Sequence, residues 1–132
     1  MIPRILAGLI GGLFLLQTMG WLLDPTAAAK QLNMTLLEGL GRSSQIGDFS
    51  SFFFALGSMA LLGAIRSNGT WLRGAALLLG GAAVFRTLAW ALHGATFATE
   101  FIAIEALTAI VLLFIAARFD SQERNSTASA MN

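Results

Sequence analysis

Five ionisable side chains lie in or beside long apolar stretches of this chain: Asp48, Arg86, His93, Glu100 and Glu105. A fixed positive charge in such a stretch needs a partner, because an unpaired Arg, Lys or Asp at the centre of a membrane helix costs about 2.5 to 3.5 kcal/mol. Arg86 is therefore expected to bond Glu105, Asp48 or both, with a guanidinium fork bridging to the Glu105 carboxylate. One arginine facing two carboxylates leaves surplus negative charge unless one of them holds a proton. Two readings stay open: an interhelical salt bridge that fixes packing and register, or the polar floor of an outward-opening pocket.

The aromatic residues bear on the second reading. At helical spacing, Arg86, Trp90 and His93 share one stripe, and Phe101, Glu105 and Thr108 share another. Phe49, Phe52 and Phe53 crowd near Asp48. The expected constellation is therefore Asp48, Arg86 and Glu105, lined by Trp90, His93, Phe52 and Phe101. A charged floor with aromatic walls suits a lipid, a quinone or another flat apolar molecule, whereas plain core packing also explains a phenylalanine cluster.

Other chemistry finds no support in the sequence. His93 is the only histidine, so it supplies neither both axial ligands of a buried haem nor a His/carboxylate metal set. Glu100 and Glu105 lie roughly 140° apart around a helix and do not share a face. No nucleophile triad, phosphate loop or nucleotide fingerprint is present. The absence of cysteine removes disulfides, thiolate metal sites and iron–sulfur clusters. No catalytic residue, metal or cofactor is therefore expected.

Four apolar stretches must position the charged set, at about 5–23, 46–65, 71–92 and 97–117. With 132 residues, 56% apolar and 11% charged, the chain has too few solvating groups for a water-soluble globule. An all-α, antiparallel four-helix bundle spanning a membrane as one domain, 1–119, is the predicted fold. The first stretch is read as a retained membrane helix, being long for a cleaved leader. Asp24-Pro25 ends it and opens a short interfacial helix through Ala27 to Leu32. Gly39, Gly41 and Ser43-Ser44 are read as a turn. The polar segment 120–132 is expected to be a disordered tail. Gly8, Gly12, Ala60, Ala64, Ala76 and Gly80 recur at spacing that suits close helix packing.

Orientation follows from the basic residues beside the spans. Arg4, Arg66, Arg73, Arg118 and Arg124 fall on one side, Lys30 and Arg42 on the other, which puts both termini in the cytoplasm. Arg86 and Glu105 then lie roughly 9 and 12 Å below the outer boundary at 1.5 Å per residue, and Asp48 enters in the first turn of the second span. Trp21 and Trp90 are expected at the outer interface and Trp71 at the inner one. The near-balanced charge, eight basic against seven acidic residues, gives no field that would gather nucleic acid.

The order Asp24-Pro25, Gly47-Asp48-Phe49, Phe85-Arg86, Gly94 and Glu105 resembles an uncharacterised four-span family of bacterial inner-membrane proteins, a domain of unknown function of the 4345 type that is DoxX-like in general appearance. The resemblance covers roughly 5–117. Ile46 stands where that family often has a basic residue before Gly-Asp. It implies a bacterial inner membrane, a four-helix fold and importance for Asp48, Arg86 and Glu105, and brings no activity. The leading expectation is a non-catalytic membrane protein that binds an apolar ligand or serves as a subunit of a larger membrane complex. A proton-coupled transporter, or a membrane enzyme or redox partner acting on quinone or lipid, are the alternatives.

Overall fold

A computed structural model describes residues 1–130. They form five helices: α1 Ile2–Leu23, α2 Pro25–Gln31, α3 Gly39–Arg66, α4 Gly69–His93 and α5 Thr99–Ala130. All but α2 are long and apolar enough to cross a membrane. Leu9, Leu13, Leu77, Leu107, Ile110 and Phe114 are 60–77% exposed on their outer faces. Water would penalise that surface heavily; lipid does not. The protein is an integral membrane protein with an antiparallel four-helix bundle.

Helix ends follow local chemistry. The Asp24 side chain accepts from Ala27 N–H at 3.0 Å and Pro25 takes the first helical position, so α1 stops and α2 starts within one residue. Ser67 in the left-handed region closes α3, and the Asn68 side chain caps α4 by accepting from Thr70 N–H at 2.9 Å. Gly94, at φ 65°, ends α4, a conformation that costs glycine little.

Buried positions run as narrow stripes: Ala7, Gly11, Thr18 and Trp21 on α1, and Ser50, Phe53, Gly57, Ala60 and Ala64 on α3. Steps of three, four and seven keep each stripe on one seam. α1 packs chiefly along α3, α4 chiefly along α5, and α3 with α4 joins the two pairs. At the Gly11–Gly57 crossing the backbones come so close that a Cβ on Gly11 would lie 2.8 Å from Leu61 N and 2.9 Å from Gly57 O. Gly12 and Gly80, by contrast, face open space, and Gly8 makes only ordinary contact with Ala64. Ala60, Ala64 and Ala76 are buried as expected, but the closest backbone-to-backbone approach belongs to Gly11 and Gly57.

The two ends of the bundle differ. At the end that carries Met1 and the α3–α4 turn, one core draws on all four long helices, including Ala7, Leu56, Leu72, Ala75, Leu112 and Ala116. Arg4 donates from Nε to Ala64 O and from Nη2 to Ile65 O, both at 3.0 Å, tying α1 to the free carbonyls that end α3. Arg73 pairs with Asp120 across α4 and α5. At the α2 end the second core holds Trp21, Ala28, Ala29 and Phe53, all from α1, α2 and α3. The two helix pairs are zipped at one end and separated at the other.

Three expectations are corrected. Gly39 to Ser44 open α3 instead of forming a turn. The preceding loop draws its partners from the new helix: Gln45 accepts from Leu37 N–H at 2.9 Å and donates to Thr35 O at 3.3 Å, and Arg42 donates to Leu37 O at 3.1 Å. Those bonds outweigh the weak helix propensity of Gly and Ser. Trp21 is fully buried, its ring stacked on Phe49 with centroids 4.7 Å apart, because α2 folds back over it; Trp90 and Trp71 do remain exposed. The tail is helical through Ala130, with 131–132 outside the described residues. A helix already nucleated in α5 extends without a new nucleation penalty, and no Gly or Pro interrupts 119–130.

Candidate functional site

Arg86 and Glu105 meet because the turn after Gly94 folds α5 back along α4. Arg86 Nε donates to both Glu105 oxygens, at 2.9 and 3.1 Å. The side chains are 35% and 12% exposed. The expected fork is absent: one nitrogen serves both oxygens, and the two terminal guanidinium nitrogens donate to no group among the described residues. The guanidinium carbon stands 5.0 Å from the Phe101 ring centroid, a cation–π contact that holds the plane in place.

Asp48 makes no ion pair among the described residues. It lies nine residues before Gly57, roughly half a revolution around α3, so it turns away from the α1 seam. Since α3 starts at Gly39, Asp48 falls in the third turn of its helix and not the first. Its side chain is exposed to a cavity that it shares with Arg86 and Glu105 but does not reach across.

That cavity has a volume of about 500 Å³ and occupies the gap between the two helix pairs. Phe14, Phe49, Phe52, Phe53 and Phe101 form its aromatic wall, with Leu32, Leu79, Ala82 and Ile104 as aliphatic lining. Gln17, Asp48, Arg86 and Glu105 are its polar groups. Stacking among the rings, with Phe14–Phe53 centroids at 6.0 Å and Phe52–Phe53 edge to face at 5.4 Å, gives the α1–α3 side a fixed aromatic surface. A second, shallower recess outside it shares Leu32, Arg86 and Phe101, so Arg86 stands between the two spaces.

Of the residues singled out from sequence, Asp48, Arg86, Glu105, Phe52 and Phe101 line this cavity. Trp90 and His93 do not. Trp90 packs edge to face on Phe97 at 5.2 Å, and His93 is exposed at the end of α4, since both lie beyond the level at which Arg86 closes the space. Phe14, Gln17, Leu32, Leu79, Ala82 and Ile104 line the cavity without being indicated by the sequence. Their signal is faint: Gln17 is the one polar amide in the apolar run of α1, and its Nε2 donates to Gln31 Oε1 at 3.3 Å, linking α1 to α2. No group of three His, Cys, Asp or Glu side chains among the described residues is placed to hold a metal ion. Compared with protein-family models, curated proteins and solved structures, the chain matches none.

Proposed function

We propose that this protein binds an apolar, head-group-bearing molecule in the cavity between its two helix pairs, without transforming it. The observation that carries the reading is one concave space of about 500 Å³ with aromatic walls and convergent charged groups, the combination expected of small-molecule sites. Arg86 supplies unused N–H donors for an acceptor on the ligand, while Glu105 compensates its charge. Apolar walls accept the body, and the charged set orients the head. On this reading the pair is an intramembrane salt bridge that bounds the cavity at the level of Arg86.

The same proposal includes the resemblance to the four-span bacterial family, and with it a bacterial inner membrane as the location. The distribution of arginine supports cytoplasmic termini, which would open the cavity on the far side. Because the chain has no cysteine, single thiols report topology cleanly: Thr35→Cys is expected to react with an impermeant maleimide added to intact cells, and Ser67→Cys only after lysis. The opposite pattern would reverse the orientation.

The binding reading is tested by photolabelling. A diazirine-bearing amphiphile, flashed with the purified chain and mapped by peptide mass spectrometry, is expected to mark the stretches around Phe49–Phe53 and Phe101–Glu105 saturably. Labels spread evenly over lipid-facing residues such as Leu9, Leu77 and Leu107 would remove the proposal.

A further inference from the structure

The charges in the cavity do not balance, and their imbalance selects among ligands. Glu105 compensates Arg86 through two hydrogen bonds. Asp48 faces the same space with no ion-pair partner among the described residues, and the neighbouring Ser51 Oγ donates to its backbone oxygen, at 3.1 Å, and not to its carboxylate. One guanidinium and two carboxylates give the site a formal surplus of one negative charge. An anionic amphiphile would add repulsion. A neutral one would leave the Asp48 carboxylate without a partner.

The wall beside Asp48 is suited to positive charge. Phe49 follows it in sequence, and Phe52 lies one helical turn on, on the same face. Aromatic faces next to a carboxylate are a recurrent way to hold an ammonium group, the ring quadrupole and the anion acting together. Phe101 already serves a cation in this way, beneath Arg86.

We propose that the occupant of the cavity is a lipophilic monocation, an ammonium or comparable centre carried on an apolar body, with the Asp48 carboxylate as its counter-ion. This rests on the reading that the cavity holds an amphiphile. Bound in this way, the ligand neutralises the site, and its apolar body fills the space between the helix pairs.

Tetraphenylphosphonium and tetraphenylborate share a shape and differ in the sign of charge, and triphenylphosphine oxide is a neutral relative. Scintillation proximity binding of tritiated tetraphenylphosphonium to the detergent-purified full chain should saturate at one per protein. Tetraphenylborate and the neutral oxide should displace it poorly. Asp48→Asn should weaken binding by about tenfold or more, equivalent to about 1.4 kcal/mol, and Asp48→Glu should largely restore it. Glu123→Gln, at the far end of α5, should leave it unchanged. Equal displacement by the neutral or anionic probe, or an unaltered affinity in Asp48→Asn, overturns the cation assignment and leaves the cavity reading standing. Should probes of every charge fail to saturate, the cavity reading falls and takes the proposal with it. If Asp48→Asn does not fold, the competition series on the unmodified chain decides the matter.

Discussion

Arg86→Leu is expected to destabilise the bundle by about 2 to 3 kcal/mol, read as a shift in the unfolding midpoint on titrating denaturing detergent into mixed micelles. Removing the guanidinium leaves the Glu105 carboxylate only 12% exposed and without a donor. Breaking a fully buried pair from one side costs about 3 to 5 kcal/mol. Arg86 is itself 35% exposed, so water screens part of the interaction and the lower figure applies. The companion outcome is as informative. Arg86→Leu combined with Glu105→Leu should recover most of the loss, to within about 1 kcal/mol of the parent, because the penalty comes from a stranded charge and not from the missing bond. A double variant as unstable as the single would mean that the pair holds α4 to α5 by itself.

The second large effect concerns the seam between α1 and α3. Gly11→Ala is expected to destabilise by about 2 to 3 kcal/mol, since overpacking a close contact forces backbones apart. The added methyl would meet Leu61 N at 2.8 Å and Gly57 O at 2.9 Å, both backbone atoms that cannot rotate aside. Gly12→Ala, one residue along, meets nothing within 4 Å and should be neutral or stabilising by about 0.5 to 1 kcal/mol. Equal melting behaviour of the two variants would contradict the crossing described above. Because the crossing fixes the rotation of α3, Gly11→Ala should also disturb the direction in which Asp48 faces.

Much of this was legible in the sequence, for identifiable reasons. The four spans follow from apolar length alone, and the meeting of Arg86 with Glu105 follows from a short turn and the rise of a helix. The α2 start was written in Asp24-Pro25. Asp48 was harder. Its helix begins seven residues earlier than apolarity implies, because Gln45 and Arg42 satisfy the preceding loop and draw Gly39 to Ser44 into the helix. Its facing depends on a glycine contact nine residues away on another stripe. Which of the neighbouring glycines Gly11 and Gly12 makes that contact is a question of tens of degrees around an axis, finer than spacing resolves. Use of one guanidinium nitrogen for both carboxylate oxygens is a matter of side-chain approach, which sequence does not encode separately. Composition predicts a disordered tail, but Ser, Asn and Thr disfavour starting a helix far more than continuing one, and α5 runs on to Ala130.

The asymmetry of the bundle links these details. Arg4 on the end of α3, Arg73 with Asp120, and a core shared by all four long helices close one end. At the other, Trp21 commits α2 to the α1–α3 pair, and α4 and α5 are left to each other. The cavity is the consequence of that division, and Asp48, Arg86 and Glu105 line it.

The most direct measurement is therefore photolabelling of the parent and of Ala82→Trp side by side. Ala82 lines the cavity without contributing charge, and an indole there fills much of the space. If the cavity is the binding site, Ala82→Trp remains monodisperse and loses the saturable label around Phe49–Phe53 and Phe101–Glu105. A folded Ala82→Trp protein labelled at the same residues, to the same extent, would show that the amphiphile never occupied the space between the helix pairs.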